Sequence, residues 1–373
     1  MDHPNLEVIL MPTMACNMRC DYCYIQEKEP ERMTPQLAKK VIEQVVIHND
    51  SSLPTKVYWH GAEPLLMGFD FFQDMLKWSR ERYGLDSIQH HIQTNGTLLN
   101  DEWFDLFIQE HVTVGVSLDG PPQLHDAHRK MRSGRGSFDL VFGNIMAARK
   151  KKLFFDVLCV VTRKNLGLED ELFDFFYEHK IDFGFDPVFP ENDWIAQQLA
   201  LTPQEYAQVA IKLFDRWFFQ TERRLNMVVP PYHFLMAILK GGNTYCAFSR
   251  CCSQHYVAVS PNGSVHSCVL FAQHPQMSFG NIIEDNLKDI LSSEARKPFL
   301  ESRTTQIAKC LSCEWSAICQ SGCPYHAFHQ KGTLKSEDTF CESYRLIFQH
   351  VHNRVTEALP YHDLANVPQA TTS

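Results

Sequence analysis

The chain has 373 residues, a formal net charge of −9, 44% hydrophobic and 21% charged residues, the composition of a globular protein with room for two domains or one large one. The acidic balance argues against a nucleic-acid partner, which would need a basic face. The longest apolar runs, such as residues 154–161 with Asp156 inside, are far too short for a bilayer, and Met1-Asp2-His3-Pro4 opens no secretory signal, so a cytoplasmic location is expected. Thirteen cysteines, an odd number, then sit in a reducing compartment, and eleven fall in groups with metal-ligand spacing. Metal or iron–sulfur ligation fits that usage better than disulfides do.

In chain order, residues 6–11 form an apolar run that reads as a strand ending just before the first cysteines. Thr34-Pro35 predicts an N-cap followed by proline at the first helical position, with Leu37, Val41, Ile42, Val45 and Val46 at helical spacing after it. Strands are expected at 57–60, 91–94, 112–118, 154–161 and 183–188, and helices at 70–83, 101–109, 138–150 and 168–179. Six strands alternating with helices imply parallel βαβ units, hence an α/β fold built as a partial (β/α)6 barrel of the TIM type. Active residues in such a barrel belong at the C-terminal ends of strands, where Cys16, Glu63, Asn95 and Asp119 fall. Residues 203–240 read as helical with a break at Pro230-Pro231, and Gly241-Gly242 marks a boundary. A hairpin over 255–270 is expected to turn at Pro261-Asn262-Gly263, ahead of a cysteine-rich segment over 310–341 and a polar tail after about residue 359.

Cys16-x3-Cys20-x2-Cys23 lies in the loop after the first strand. A [4Fe–4S] cluster needs four ligands, so three leave one iron open for a non-protein ligand, whereas a zinc knuckle would require a fourth ligand elsewhere. This spacing, followed by the aromatic Tyr24, resembles the signature of radical S-adenosylmethionine (SAM) enzymes. The resemblance implies that the open iron chelates the amino and carboxylate groups of SAM. Reductive cleavage then yields a 5′-deoxyadenosyl radical that abstracts hydrogen from an unactivated carbon. His60-Gly61-Ala62-Glu63-Pro64 is similar to the family's glycine-glycine-glutamate-proline motif, with Ala62 in place of the second glycine. By that likeness Gly61, Ala62 and Glu63 face the methionine amino group. Asn95 in Gln93-Thr94-Asn95-Gly96, at the end of the third strand, is a further cofactor-binding candidate, and Ser117 and Asp119 in Ser117-Leu118-Asp119-Gly120-Pro121, at the end of the fourth, take the ribose and carboxylate side. Arg129 is a further carboxylate candidate.

Cys252-x10-Gly263-x4-Cys268, then Cys310-x2-Cys313-x5-Cys319-x3-Cys323 and Cys341, resembles the seven-cysteine pattern of the SPASM extension of peptide- and protein-modifying radical enzymes, and Cys246 completes eight. The resemblance implies two fully ligated auxiliary clusters, one on Cys246, Cys252, Cys268 and Cys323, the other on Cys310, Cys313, Cys319 and Cys341. Cys251 beside Cys252 leaves that ligand open by one residue, and structural zinc is the other reading of these spacings. Cys159, inside an apolar strand, reads as a buried thiol. The expected organisation is a barrel domain over residues 1–235, a SPASM domain over 236–350, and a helix end with a polar tail over 351–373. Three [4Fe–4S] clusters and SAM are the implied cofactors.

The layout is similar to anaerobic sulfatase-maturating enzymes, which oxidise cysteine or serine to formylglycine, and to maturases of ribosomally made peptides. In the former an aspartate follows the hairpin cysteine as the proposed base; here Val269 follows Cys268. The Trp59-His60-Gly61 flank also looks more like maturases that cross-link aromatic side chains into cyclophanes. Oxidative cross-linking of a precursor peptide is therefore the leading expectation, formylglycine formation the alternative, and a non-catalytic electron-transfer protein a third. Net oxidation needs a base, for which Asp186 and His60 are the candidates. A peptide or protein substrate, an external electron donor such as flavodoxin or ferredoxin, and a separate leader-binding protein are the expected partners.

Overall fold

A computed structural model of the chain describes residues 5–25, 30–49, 53–219, 246–249, 252–302 and 307–358. The expected break at Pro230-Pro231, the boundaries at residue 235 and at Gly241-Gly242, the alternative ligand Cys251 and the tail after 359 lie outside the described residues. Nine strands run along the described chain: β1 (Glu7–Leu10), β2 (Thr55–Trp59), β3 (Ile88–Thr94), β4 (Thr113–Ser117), β5 (Phe155–Val161), β6 (Phe183–Pro187), β7 (Tyr256–Val259), β8 (Ser264–His266) and β9 (Gly280–Asn281). The helices that frame them are α1 (Pro35–His48), α2 (Phe69–Tyr83), α3 (Asp101–Gln109), α4 (Pro122–His128), α5 (Phe138–Lys150), α6 (Glu169–Glu178), α7 (Asp193–Gln198), α8 (Pro203–Phe218), α9 (Pro324–Lys331) and α10 (Cys341–Ala358). No described helix is long and apolar enough to cross a membrane.

The chain divides into two compact units. The first comprises Met1–Leu118, His125–Asp156 and Ser253–Leu300. Here β1 pairs in parallel with β2, β2 with β3 and β3 with β4. The hairpin expected near 255–270 forms as β7 and β8. It does not stand apart: β7 pairs in parallel along the free edge of β1, Glu7 against Tyr256 through Leu10 against Val259. Thr34 caps α1 by accepting the Leu37 N–H at 3.1 Å, and Pro35 opens the helix, as the sequence predicts.

Strand alternation gives the sheet two chemically different faces. Leu10, Trp59, Ile92 and Val114 align across β1–β4 and are fully or almost fully buried. Trp59 packs edge-on to Phe72 of α2 at 5.3 Å, and its indole N–H donates to His90 Nδ1 at 3.2 Å. Glu7, Tyr58, His91 and Gln93 take the opposite face, where Tyr58 OH donates to Glu7 at 2.9 Å and Gln93 donates to Ser117 Oγ at 3.3 Å. A Cβ on Gly115 would overlap the Gln93 carboxamide and lie 3.1 Å from His91 Nε2, so the glycine makes room for this polar row.

The second unit comprises Asp119–Leu124, Val157–Cys252 and Glu301–Ser373. In it β5 and β6 pair in parallel, and α8 packs along α10. Trp315 stacks on Phe348 of α10 at 5.6 Å, and Phe248 meets Tyr344 edge-on at 5.0 Å, an aromatic core beneath the cysteine-rich loops.

Candidate active site and cluster ligands

In the first unit, three loops leave the C-terminal ends of β1, β2 and β3 and are tied to one another by hydrogen bonds. The β1 loop carries Cys16, Cys20 and Cys23; Cys23 N–H closes a turn on the Cys20 carbonyl at 3.3 Å. Glu63, at the end of the β2 loop, donates its backbone N–H to the Ala15 carbonyl at 3.0 Å. Its carboxylate accepts from Leu65 N at 3.0 Å, Thr94 Oγ1 at 2.8 Å and Asn95 N at 2.8 Å. Glu63 is fully buried, and burial pushes its carboxyl up to about 7 against the downward pull of those three bonds. Asn95 closes the circle, for its Nδ2 lies 3.8 Å from Cys16 Sγ. Cys16, Glu63 and Asn95, far apart in sequence, thus meet.

The other expected contacts fall as follows. Ser117 holds Gln93, as above. Arg129 is buried with its guanidinium 5.4 Å from the Tyr22 ring centre. Tyr24 is half-buried next to Cys23. Gly61 has a φ of +102°, which suits the one glycine the motif kept, while Ala62 takes no positive φ. His60 Nδ1 accepts the Gly61 N–H at 2.7 Å, which places the ring proton on Nε2, and burial lowers its pKa to about 4. His91 is likewise held down to about 4 by burial. In the second unit, the buried Asp119 accepts the Val160 N–H of β5 at 2.9 Å, and Asp186 is half-buried on β6.

Four thiols of the second unit, Cys310, Cys313, Cys319 and Cys341, line one cavity of about 210 Å3 together with Trp315 and Phe348. Burial, then Asp338 and the neighbouring thiols, push the Cys319 thiol well up. Thiols this close oppose one another's ionisation, and metal coordination is what converts such a set to thiolates; four around one cavity match the ligand requirement of a [4Fe–4S] cluster. Asp338 organises this region. It accepts from Cys323 N at 2.6 Å, Phe340 N at 2.8 Å and His326 Nδ1 at 3.0 Å. Cys246 and Cys252 belong to the same unit, and Cys268 follows β8 in the first unit, two residues after His266, whose buried ring nitrogens make no well-formed hydrogen bond.

The radical SAM superfamily model matches residues 10–175, and the SPASM iron–sulfur cluster-binding model matches residues 251–314. The chain belongs to the radical SAM superfamily and carries a SPASM domain. It is a radical SAM enzyme, and its cofactors are SAM, a [4Fe–4S] cluster that binds it, and auxiliary clusters. A cysteine-type anaerobic sulfatase-maturating enzyme of Clostridium novyi is 27% identical over 368 residues, covering 94% of this chain and 96% of that one. The solved structure of native anSMEcpe with bound AdoMet and Cp18Cys peptide superposes with a TM-score of 0.86 at 24% identity, covering 95% of this chain and 98% of that one. Streptococcus suis SuiB bound to its precursor peptide SuiA gives 0.70 at 19%, covering 91% of this chain and 76% of SuiB. Both likenesses show the radical SAM fold.

Asn17, whose Oδ1 accepts from Asn95 Nδ2 at 2.9 Å, Thr97, whose backbone N–H donates to Asn95 Oδ1 at 3.0 Å, and Asp338 escaped the sequence reading. Asn17 beside Cys16 and Thr97 beside Asn95 could have been flagged as polar neighbours of motif residues, while Asp338 carried no local signal.

Proposed function

We propose that this enzyme oxidises a cysteine or serine side chain of a peptide or protein to an aldehyde, as sulfatase-maturating enzymes do. The observation that carries the proposal is the end-to-end match to the Clostridium novyi relative, 94% of one chain against 96% of the other. It reverses the order of the two expectations drawn from sequence, in which cross-linking stood first. The Trp59 flank that favoured cross-linking loses weight as well, since Trp59 is fully buried against Phe72 and His90, which is a packing role.

On this reading Cys16, Cys20 and Cys23 hold the SAM-binding cluster, and Glu63 accepts from the SAM amino group. Cys310, Cys313, Cys319 and Cys341 hold one auxiliary cluster, and Cys246, Cys252, Cys268 and Cys323 the other. When bound, these groups supply a hydrogen-abstracting radical and a sink for the second electron. The polar face bearing Tyr58, His91 and Gln93 lines the substrate side. The substrate also loses a proton, giving the aldehyde from serine or a thioaldehyde from cysteine that water converts to the aldehyde with release of hydrogen sulfide, and Val269 cannot take that proton. His60 is poorly suited, because its Nδ1 is occupied and its Nε2 carries a hydrogen. Asp186 is therefore the proton acceptor we assign. An external one-electron donor such as flavodoxin or ferredoxin completes turnover.

A second reading, cross-linking of a precursor peptide with help from a separate leader-binding protein, keeps one specific observation in its favour: Val269 after Cys268. One experiment separates the two. Reconstituted enzyme is given SAM, dithionite and peptides containing cysteine, serine or paired aromatic residues, with 5′-deoxyadenosine and product masses followed. Aldehyde from the cysteine or serine peptide supports the proposal. 5′-Deoxyadenosine with only cross-linked aromatic product replaces it with the second reading.

A further inference from the structure

We propose that Asn17, Asn95 and Thr97 form a closed hydrogen-bonded ring that aims one N–H of Asn95 at the Cys16 sulfur and thereby raises the reduction potential of the cluster Cys16 holds. The inference rests on the reading of Cys16 as a cluster ligand, and it gives Asn95 a role other than direct contact with SAM.

The ring can be followed atom by atom. Asn95 Oδ1 accepts from the Thr97 backbone N–H at 3.0 Å and from Thr97 Oγ1 at 2.6 Å. Thr97 Oγ1 in turn accepts from Asn17 Nδ2 at 2.8 Å. Asn17 Oδ1 accepts from Asn95 Nδ2 at 2.9 Å. The orientation of both amides follows from one group that can only donate, the Thr97 backbone N–H. Flipping Asn95 would set its NH2 against that donor and its oxygen against Asn17 Oδ1. The carboxamide nitrogen of Asn95 therefore faces the cysteine loop. Of its two hydrogens one is committed to Asn17, and the other is left for Cys16 Sγ at 3.8 Å. The same sulfur accepts the Met18 backbone N–H at 3.4 Å.

The surroundings hold the ring in place. Glu63 fixes the Asn95 backbone, and Asn144 donates to the Gly96 carbonyl at 2.9 Å. Gly96 has a φ of +77°, and a Cβ there would meet Val116 Cγ1 at 2.8 Å, so this turn has little freedom. Thr97 is 7% exposed, which shelters the ring bonds from competition with water. N–H dipoles directed at a cysteine sulfur stabilise the reduced, more negative state of an iron–sulfur cluster, so they shift its potential upward. Asn95 is a positioning and tuning residue in this scheme, and Asn17 and Thr97 act through it.

The test is a redox titration of the fully reconstituted enzyme, followed by electron paramagnetic resonance in the absence of SAM. The relevant signal is identified as the one that shifts when SAM is then added. Asn95→Asp exchanges the donor for a carboxylate oxygen at nearly constant shape. Reduction should become at least tenfold less favourable, about 59 mV lower for one electron. Thr97→Val, which leaves Asn95 and Cys16 in place but opens the ring, should shift the potential part of the way in the same direction, and Thr97→Ser should restore it. If Asn95→Asp prevents cluster assembly, the two Thr97 variants decide the matter. Equal potentials in wild type, Thr97→Val and Asn95→Asp at full iron content would overturn the proposal. Cys16→Ala is the separate check on its premise: if that variant still forms the SAM-responsive cluster, the ligand assignment itself fails.

Discussion

Replacing Asp338 with alanine should detach the auxiliary clusters while sparing the SAM-binding one. The Asp338 side chain is fully buried and serves three donors, the backbone N–H groups of Cys323 and Phe340 and the ring of His326. His326 keeps some exposure and can turn toward water, but the two backbone donors cannot. Each buried donor left without a partner costs about 1–3 kcal/mol, so the two together cost about 2–6 kcal/mol, a large part of the ~5–15 kcal/mol that stabilises a typical fold. The penalty falls on the segment carrying Cys319 and Cys323 and on the start of α10 at Cys341. Gly322 fixes the geometry from the other side: its φ is +75°, and a Cβ there would overlap Asp338. Iron and sulfide analysis of anaerobically reconstituted protein, paired with 5′-deoxyadenosine formation, reads the result. The expected change is from about twelve irons toward about four, with SAM cleavage retained and peptide oxidation lost. Asp338→Asn, which keeps one acceptor, should fall between. Full iron content and an unshifted denaturation midpoint in Asp338→Ala would refute the reasoning.

Two further outcomes are expected. Glu63 has its carboxyl raised from 4.5 to about 7 by burial, so its ionisation disfavours the ligand-free fold: its contribution to stability is fully present below about pH 4.5 and is lost as pH rises to about 7, about 3 kcal/mol in all. If Glu63 accepts from the SAM amino group as proposed, SAM binding draws on the ionised form and should weaken up to tenfold per pH unit below about 7 and level off above it. Calorimetric titration of wild type against Glu63→Gln checks this, and an equally pH-dependent Glu63→Gln would remove Glu63 as the cause. Gly115→Ala should cost about 1–3 kcal/mol through overpacking against Gln93 and His91, and should lower peptide oxidation more than SAM cleavage. An unchanged ratio of the two products would mean that this face does not meet the substrate.

Much of the first unit was legible because its signals are local. Thr34-Pro35 is a cap that works within one helical turn, and the alternation of Val57 and Trp59 with Tyr58 sorts the two faces of β2 without reference to any other strand. The association of β7 with β1 was not legible. It is a parallel pairing between residues some 250 positions apart, and parallel partners share no turn whose residues would announce them. The cysteine-rich hairpin therefore read as the start of a separate domain, although its first strand extends the sheet that bears Cys16. Motif residues were legible as chemistry but not as geometry. Glu63 was expected to face a ligand, yet two of its three internal hydrogen bonds come from Thr94 and Asn95, whose own motif looks like an ordinary turn.

That arrangement bears on how the site works. A carboxylate buried at the junction of three loops is costly, and burying it against neutral N–H and O–H donors offsets only part of the cost, as its raised pKa records. The remaining cost serves the site if a ligand with its own hydrogen-bond donors arrives beside it, because the carboxylate then recovers the stabilisation that burial took away. The same three loops also place Asn95 on the Cys16 sulfur. Glu63 is bonded to the Asn95 backbone, and Asn95 to the sulfur. On the proposed roles of Glu63 and Cys16, a change in the charge or position of Glu63 when SAM binds is thus passed, through two bonds, to the electrostatics of the sulfur we assign to the cluster. Glu63→Gln should accordingly alter the potential of the SAM-binding cluster as well as the affinity for SAM.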